Sequence, residues 1–365
     1  MLSGKSGFMD KRELESYCGD LAQVFGIEEC VLEDGKARGT RGYLLDNGCG
    51  LEMIVLRDKC FTIPKLKFKG VNIGLITKAG ICGPWFYQED GTRGFLRNFE
   101  GGFLTTCGLT YMGTPGEENG NKNGLHGVIS NTPMEHAGSS IDWRDGAAEL
   151  NLTGEAREAY LFGPNLVIHK SLKVHTDRNR IELHDAVENK DFHPSPLMLL
   201  YHFNYGYPFL DENVQIYTNY DRIAPRDNRS KDSLDRISRF ERPSAEAEEV
   251  VGIRTMSDKN GKDGVTIVYN PKQGIAVKMQ LKVRQLPILN QWKSSCAGDY
   301  ALGMEPGTGH VGGLANTRRD GMLMTILPGE VKRFDIVIDF LDNEEEINHT
   351  IKELDGSVTF PMKMG

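Results

Sequence analysis

The stretch IAVKMQLKV, residues 275–283, alternates between large apolar and mostly polar side chains. Its odd-numbered residues are all large and apolar, and its even-numbered residues are mostly polar. A period of two residues is typical of a β-strand with one buried face and one exposed face. A turn, YNPKQG at 269–274, and a second apolar run at 265–269 precede it. The segment therefore predicts an antiparallel hairpin.

Two further pairs of apolar runs have the same arrangement. Residues 166–174 and 181–187 flank an Asp-Arg-Asn turn, and residues 322–327 and 331–340 flank a Pro-Gly turn. Both pairs predict hairpins. Many antiparallel strands with few helices indicate an all-β fold, built as a large sandwich of antiparallel sheets.

Helices are predicted only near the two ends of the chain. A short, peripheral N-terminal helix is expected within residues 10–25, and a second short helix within residues 343–354. We divide the chain into an N-terminal helical extension, residues 1–35, and a single sandwich domain, residues 36–365. Residues 224–250 are charged and Ser-rich, which predicts a long surface excursion.

Composition excludes several classes of partner. The chain has 43 basic and 51 acidic residues, a formal net charge of −8, and no basic stripe, so nucleic acid is not an expected partner. The sequence contains no apolar run of the roughly 18 residues that a membrane span needs, and no hydrophobic signal segment near its N-terminus. Seven scattered cysteines without CxxC spacing predict free thiols in a reducing cytoplasm.

Four short segments, called islands below, each contain an Arg, His or Glu among Gly, Asn and aromatic residues. They are FLRNFEGG (95–102), GLHGVISN (124–131), LYHFNYGYP (200–208) and GMEPGTGH (303–310). Their candidate residues are Arg97, His126, His202 and Glu305. Two imidazoles, a carboxylate and a guanidinium can move protons on and off a polyol. They offer no thiol nucleophile and no recognisable metal-ligand spacing, so we expect no metal and no cofactor.

The island around His202 suits a sugar. His202 and Asn204 are two residues apart on a predicted strand, so their side chains face the same way. Aromatic neighbours can pack against the C–H faces of a sugar while the polar side chains bind its hydroxyls. A histidine satisfied in the core is the alternative.

Each of the other candidates also has a plain structural alternative. Glu305 lies where a strand is expected to end, a common place for a general base, but it could instead cap a turn. Glycines flank His126, which lets its backbone approach a ligand closely, but it could instead be a loop histidine without a role. Arg97 could bind substrate or pair with a carboxylate. Asp211 and Lys293, next to the His202 and Glu305 islands, could assist binding or be solvated surface charges.

Two other kinds of site carry less support. Cys107 could be a nucleophile, but the sequence supplies no base for it, and a buried small side chain is the alternative. A metal site from His126, His136, His310 and Glu305 is conceivable, although their spacing matches no metal motif.

Taken together, the four islands resemble the aldose 1-epimerase (galactose mutarotase-like) superfamily, and most closely its DUF4432-type branch. The resemblance runs from about residue 50 to residue 341. It is carried by FxRxFxGG, LHG, YHxNxGxP and the stretch QWKSSCAGDYALGMEPGT, in that order. It implies a β-supersandwich whose concave face holds a small-molecule carbohydrate.

The resemblance also implies roles for the island residues. Glu305 would be the base that takes the proton of the C1 hydroxyl, and His202 the acid that protonates the ring oxygen. His126 would hydrogen-bond near the ring oxygen, and Arg97 would help to hold the sugar. We expect a protonated His202 beside an ionised Glu305 near neutral pH.

Several alternatives stay open. The chain could be another carbohydrate-active enzyme on the same fold, such as an epimerase at another carbon, a lyase or a glycosidase, with Asp211 or Glu212 as second carboxylate. It could also be a sugar-binding protein without turnover. The identity of the sugar and the oligomeric state, a homodimer included, are not decided by the sequence.

Overall fold

The computed structural model describes residues 11–118, 120–144, 146–257 and 263–354. Its strands, in chain order, are β1 (Gly26–Val31), β2 (Arg41–Asp46), β3 (Leu51–Leu56), β4 (Thr62–Phe68), β5 (Val71–Asn72), β6 (Leu75–Ile76), β7 (Gly101–Gly102), β8 (Leu104–Cys107), β9 (Gly116–Glu118), β10 (Asn121–Asn123), β11 (Glu135–Arg144), β12 (Ala147–Ala159), β13 (Asn165–His175), β14 (Arg180–Asn189), β15 (Ser195–Leu197), β16 (Leu200–Tyr205), β17 (Gln215–Thr218), β18 (Tyr220–Pro225), β19 (Val250–Met256), β20 (Gly264–Asn270), β21 (Ile275–Leu281), β22 (Ile288–Cys296), β23 (Asp299–Gly307), β24 (Met324–Ile326) and β25 (Val331–Leu341).

The helices are short. They are α1 (Lys11–Tyr17), α2 (Gly91–Asn98), α3 (Asn228–Lys231), α4 (Leu314–Arg319) and α5 (Glu344–Glu353). Single 3₁₀ turns lie at Leu21–Gln23, Gly35–Ala37, Arg57–Lys59, Pro84–Phe86, Ile129–Asn131 and Leu234–Arg236.

Two large antiparallel sheets dominate the structure, which confirms the all-β prediction. The first has the order β1-β2-β3-β4-β8-β16-β23-β22-β19-β18, with β5 paired to β4. The second has the order β11-β12-β13-β14-β25-β21-β20-β17. The pairs β9–β10, β15–β24 and β6–β7 form small ribbons. Apolar side chains from the facing sides of both large sheets form one core, as a sandwich requires.

Aromatic side chains join the two sheets. The ring of Phe103, between β7 and β8, lies 5.4 Å from that of Phe203 in β16 and 5.6 Å from that of Phe340 in β25, centroid to centroid. All three side chains are buried. Such offset ring contacts add to the free energy gained by removing apolar area from water.

The local hairpins follow the sequence pattern. β13 pairs with β14 and β20 pairs with β21, both antiparallel, as predicted. The predicted C-terminal helix is α5, and Asn343 caps it by accepting a hydrogen bond from the Glu346 amide at 3.0 Å.

The third predicted hairpin is wrong. β24 pairs with β15, whereas β25 pairs with β14 and β21. The side-chain amide of Asn189, at the end of β14, donates to the carbonyl of Ile326 at 3.0 Å, and the backbone amide of Asn189 donates to Glu330 at 3.1 Å. These bonds tie the turn between β24 and β25 to β14, so the two strands diverge.

The N-terminal segment is only partly helical. α1 covers fewer residues than the predicted helix over 10–25, and residue 10 lies outside the described residues. After the single turn Leu21–Gln23, β1 pairs with β2 at the edge of the first sheet. The division at residue 35 stays a prediction, but this pairing favours placing the start of the sandwich domain at β1. Residues 355–365 lie outside the described residues.

A buried polar network also connects the sheets. The ammonium of Lys170 in β13 lies 2.6 Å from the carboxylate of Asp185 in β14 and 3.0 Å from the hydroxyl of Thr106 in β8. The hydroxyl of Tyr201 in β16 donates to the same carboxylate at 2.8 Å. A satisfied network of this kind specifies one arrangement of the strands that carry it.

We predict a non-additive stability effect in this network. Lys170→Met should lower the free energy of unfolding by about 3–5 kcal/mol, because it leaves the Asp185 carboxylate buried without its cation. The double variant Lys170→Met/Asp185→Leu should be more stable than that single variant. Urea denaturation measures both, with Lys282→Met, in an exposed pair with Asp263, as the control that costs less than about 1 kcal/mol. Equal costs for Lys170→Met and Lys282→Met would contradict the assignment.

Candidate active site

A cleft of about 680 Å³ opens beside the first large sheet. Side chains from the middle of that sheet, on β16, β22 and β23, line it on one side. Residues 75–79, α2, the loop around His126 and the segment that joins β18 to β19 line the other sides. This volume lies in the range of small-molecule sites.

His202 and Glu305 meet because of strand register. Leu200 pairs with Gly307 and Phe203 with Met304 across β16 and β23, so His202 lies opposite Glu305. Directly opposed residues on antiparallel strands share a face of the sheet. His202 Nε2 accordingly lies 3.3 Å from Glu305 Oε1.

Glu305 lies inside a strand and not at its end. β23 continues through Pro306 to Gly307, which corrects the predicted strand end. The side chain is buried, and within the described residues Oε1 has no hydrogen-bond partner. The nearest polar side-chain atom to this buried oxygen is therefore His202 Nε2, at 3.3 Å.

Aromatic rings surround His202. Its ring centroid lies 5.1 Å from that of Phe99, 5.4 Å from that of His126 and 6.0 Å from that of Trp292. Its Nδ1 atom has no hydrogen-bond partner among the residues that the structure describes. The ring is thus packed among aromatic side chains, and its Nε2 atom faces Glu305.

His126 is presented by an unusual loop conformation. Its φ is +61°, which is uncommon for a residue other than glycine. The loop is held by a hydrogen bond from the His126 amide to Gly113 at 3.0 Å and from the Gly108 amide to the His126 carbonyl at 3.1 Å. A Cβ atom at Gly127 would lie 2.4 Å from the Tyr111 carbonyl oxygen. This flanking glycine therefore permits close approach to the chain's own backbone.

Burial sets the protonation of these three groups. Loss of solvation raises the pKa of Glu305 to about 8 and lowers the pKa of His202 to about 4. Burial, and secondarily the nearby His202, lowers the pKa of His126 well below its usual value. Near neutral pH, Glu305 is protonated and both imidazoles are neutral. This corrects the expected resting state of a charged His202 beside an ionised Glu305.

A charged cluster lines the same cleft and was missed from the sequence. Arg226 donates to Glu249 Oε1 at 2.9 Å and to Asp227 Oδ2 at 2.9 Å. The indole N–H of Trp292 donates to the other oxygen of Glu249 at 3.1 Å. Arg226, Asp227 and Glu249 belong to the segment predicted as a surface excursion, which instead forms part of the cleft wall.

Two predicted binding residues do not line the cleft. The side chain of Arg97 is more than half exposed and pairs with Asp90, although its neighbours on α2 do face the cleft. Asn204 is buried, and its amide donates to the carbonyls of Gly101 at 3.1 Å and His202 at 2.9 Å. Asn204 therefore supports the backbone around His202, and the position of neither residue supports substrate contact.

The other two predicted binding residues also lie elsewhere. Asp211 accepts hydrogen bonds from the Asn213 amide at 2.9 Å and the Asn270 side chain at 2.9 Å, which fits a turn-stabilising role. Lys293 Nζ lies 2.8 Å from the Glu241 carboxylate. Lys293 follows Trp292 on β22, so its side chain points to the opposite face of the sheet.

The residues considered for a metal site are dispersed. His136 lies on the second sheet with Glu135 and Glu155, where ligand atoms of the three residues come within 4.8 Å of one another. His310 instead pairs with Asp320 at 3.2 Å. Two of the three residues in the first group are exposed, and that group does not line the cleft.

Comparison with solved structures shows what the fold resembles. A protein from Klebsiella pneumoniae described as a "putative aldose 1-epimerase" has a TM-score of 0.86 at 22% identity, with 94% of this chain and 94% of that chain covered. A galactose mutarotase-like protein from Clostridium acetobutylicum has a TM-score of 0.61 at 14% identity, with 88% and 100% covered. Galactose 1-epimerase from Lactobacillus acidophilus has a TM-score of 0.56 at 13% identity, with 88% and 100% covered.

These structural matches confirm the galactose mutarotase-like fold that the sequence predicts. At such identities they show the shared fold alone. No curated protein matches the chain by sequence. The model of the family described as a domain of unknown function, DUF4432, matches residues 37–340, and the chain therefore belongs to the DUF4432 family.

Proposed function

We propose that this chain is an aldose 1-epimerase-like isomerase that interconverts the anomers of a free sugar by general acid/base catalysis. The observation that carries the proposal is the buried pair of His202 and Glu305, whose facing atoms lie 3.3 Å apart in the cleft. A positioned acid and base with oppositely displaced pKa values is a typical catalytic arrangement. The likeness to aldose 1-epimerase structures supports the same reaction class.

The proposed reaction requires that Glu305 and His202 together hold one titratable proton. When a sugar binds, the proton passes from Glu305 to His202, which leaves a carboxylate and an imidazolium. The carboxylate takes the proton of the C1 hydroxyl while the imidazolium protonates the ring oxygen, so the C1–O bond breaks and an aldehyde forms. Rotation about C1–C2 and the reverse transfers close the ring on the other face. Only protons move, and the pair ends as it began.

The other residues of the cleft bind and orient the sugar. The Gly113 amide contacts His126 Nδ1 at 3.4 Å, so the neutral ring carries its proton on Nε2 and can donate to a sugar oxygen. Phe99 and Trp292 offer apolar faces to the C–H groups of the sugar. The carboxylates of Asp227 and Glu249 can accept hydrogen bonds from its hydroxyls.

Glycoside hydrolysis is the second candidate. It needs two carboxyl groups at one cleft, one of them protonated. Glu305 supplies the group with the raised pKa, and Glu249 and Asp227 supply further carboxylates on the same cleft. Asp211 and Glu212, considered from the sequence, do not line it.

The cellular setting follows from the cysteines. All seven are free thiols, and we propose a reducing cytoplasm as the compartment. No helix in the described part of the chain combines the length and apolar character needed to cross a membrane. The proposed partner is a small carbohydrate.

Substitution of the acid/base pair tests the proposal directly. Glu305→Gln and His202→Ala should each slow anomer exchange by at least about 10²-fold, because each removes one proton-transfer group. NMR saturation transfer over a panel of free sugars measures the exchange. Glu212→Gln, which changes a carboxylate in a surface pair with Arg242, is the matched control and should retain the wild-type rate.

Three results would count against an epimerase. Full activity in Glu305→Gln would remove that residue from the mechanism. Release of a reducing sugar from glycosides, without anomer exchange, would favour hydrolysis. Sugar binding by the folded wild type without any turnover would indicate a binding protein.

The pH dependence follows from the two displaced pKa values. Below about pH 4 both groups of the pair are protonated and no base remains, and above about pH 8 both are deprotonated and no acid remains. We therefore expect kcat/KM to be high between these limits and to fall on both sides. Exchange rates corrected for uncatalysed mutarotation measure the profile. A maximum confined below pH 4 or above pH 8 would be inconsistent with the pair.

Two residues of the charged cluster, Arg226 and Glu249, should shift the alkaline fall of kcat/KM in opposite directions. The positive charge of Arg226 lowers the pKa of Glu305, and the negative charge of Glu249 raises it. Arg226→Gln should therefore move the alkaline fall of kcat/KM to higher pH, and Glu249→Gln should move it to lower pH. Shifts of the same sign in both variants would show that charge is not the cause.

A further inference from the structure

Several large apolar side chains are exposed at one end of the second large sheet. The turn between β12 and β13 contributes Leu161, 81% exposed, and Phe162, 99% exposed. Phe192, after β14, is 90% exposed. We call this surface the apolar tip; its six residues are Tyr160, Leu161, Phe162, Phe192, Leu327 and Val331.

Backbone hydrogen bonds bring the segments of the apolar tip together. The Lys190 amide donates to the Asn165 carbonyl at 2.8 Å, which joins the loop after β14 to the end of the β12–β13 turn. The Gly329 amide donates to the Asn189 carbonyl at 2.9 Å, which joins the β24–β25 turn to the same place. The six side chains therefore belong to one surface formed by three adjacent loops.

The conformation of Phe162 adds a second observation. Its φ is +64°, a left-handed conformation that a bulky residue rarely adopts. Its side chain is almost fully exposed among the described residues, so that part of the chain gains little from holding an aromatic side chain there. Outliers of this kind point to a role outside the isolated chain.

We propose that the apolar tip is the contact surface of a homodimer, with a second copy of this chain as its occupant. Burial of an aromatic side chain removes about 150–250 Å² from water. Three aromatic and three aliphatic side chains together approach the roughly 800 Å² per partner that a specific interface buries.

The charges around the apolar tip favour a second copy over other occupants. Lys190 lies 3.4 Å from Glu188, and Lys332 lies 2.6 Å from Glu330. This rim carries both signs in close pairs, so it offers no excess of positive charge to an anionic membrane. Two copies related by a two-fold axis place the same patch on itself, which lets opposite charges of the mixed rims face each other.

Sedimentation equilibrium of the full chain at roughly 1–100 μM tests the proposal, since this range resolves dissociation constants typical of modest dimers. We expect a dimer in the wild type. Phe162→Gly/Phe192→Ser should weaken dimerisation by about 30-fold or more, as expected when central aromatic contacts are lost. Glycine suits the positive φ at position 162, so this variant should keep the wild-type melting temperature.

Tyr17→Ser is the matched control, because Tyr17 is a largely exposed aromatic residue (75%) on α1, outside the apolar tip. It should leave the dissociation constant unchanged. A wild type that stays monomeric throughout this range would overturn the proposal. So would a dimer unaffected by the double substitution, or equal weakening by Tyr17→Ser. Co-sedimentation of a monomeric wild type with anionic lipid vesicles would assign the surface to a membrane instead.

Discussion

The register between β16 and β23 is the constraint on which the site depends. It places His202 opposite Glu305, and a slip of one residue would turn every side chain of the shifted strand to the other face. Residues at alternate positions hold that register. Tyr201 and Phe203 point into the core between the sheets, and the Tyr201 hydroxyl reaches Asp185 on the opposite sheet. The packing that builds the sandwich therefore also sets the geometry of the proposed acid/base pair.

The same burial that orients the pair leaves it incompletely satisfied. Within the described chain, His202 Nδ1 and Glu305 Oε1 are buried without a well-aligned hydrogen bond, and Oε1 has only the 3.3 Å contact with His202 Nε2. Such groups cost about 1–3 kcal/mol each when no partner replaces water. Proteins tolerate such local conflicts mainly at functional sites. In the proposed function, hydroxyl groups of a bound sugar supply these partners, so that binding recovers part of the free energy lost on folding.

Sequence reasoning succeeded where the determining interactions are local. The alternation at 275–283 and the turn before it determine a hairpin within one short segment. His202 stood out because polar residues interrupt an apolar strand, and Glu305 because it precedes a predicted Pro-Gly turn. It failed where pairing joins distant segments. The turn after β24 looks like a hairpin until Asn189, far away in the chain, binds its backbone.

One cause explains why sequence reasoning missed Trp292 and why it predicted that Arg97 reaches the cleft. Trp292 lies opposite Val251 on β19, which brings it beside Glu249, and no local pattern reports that pairing. Arg97 has the expected aromatic neighbours, but the helix α2 turns its side chain toward Asp90 while Phe95 and Leu96 face the cleft. Residue type and neighbours indicated the right segments; helix phase and strand pairing decided which side chains reach the cleft.

The proposed acid/base residues and the charged residues that shift the pKa of Glu305 lie on different kinds of structure. The proposed proton-transfer pair lies on β16 and β23, which have a neighbouring strand on each side in the first sheet. Arg226 and Glu249 lie on the connection from β18 to β19, which can vary without disturbing the sheets. Because these two charges displace the pKa of Glu305 in opposite directions, their balance determines when the pair loses its single proton. Changes in this connection can therefore alter the working pH and the polar contacts of the cleft while the acid/base geometry stays constant.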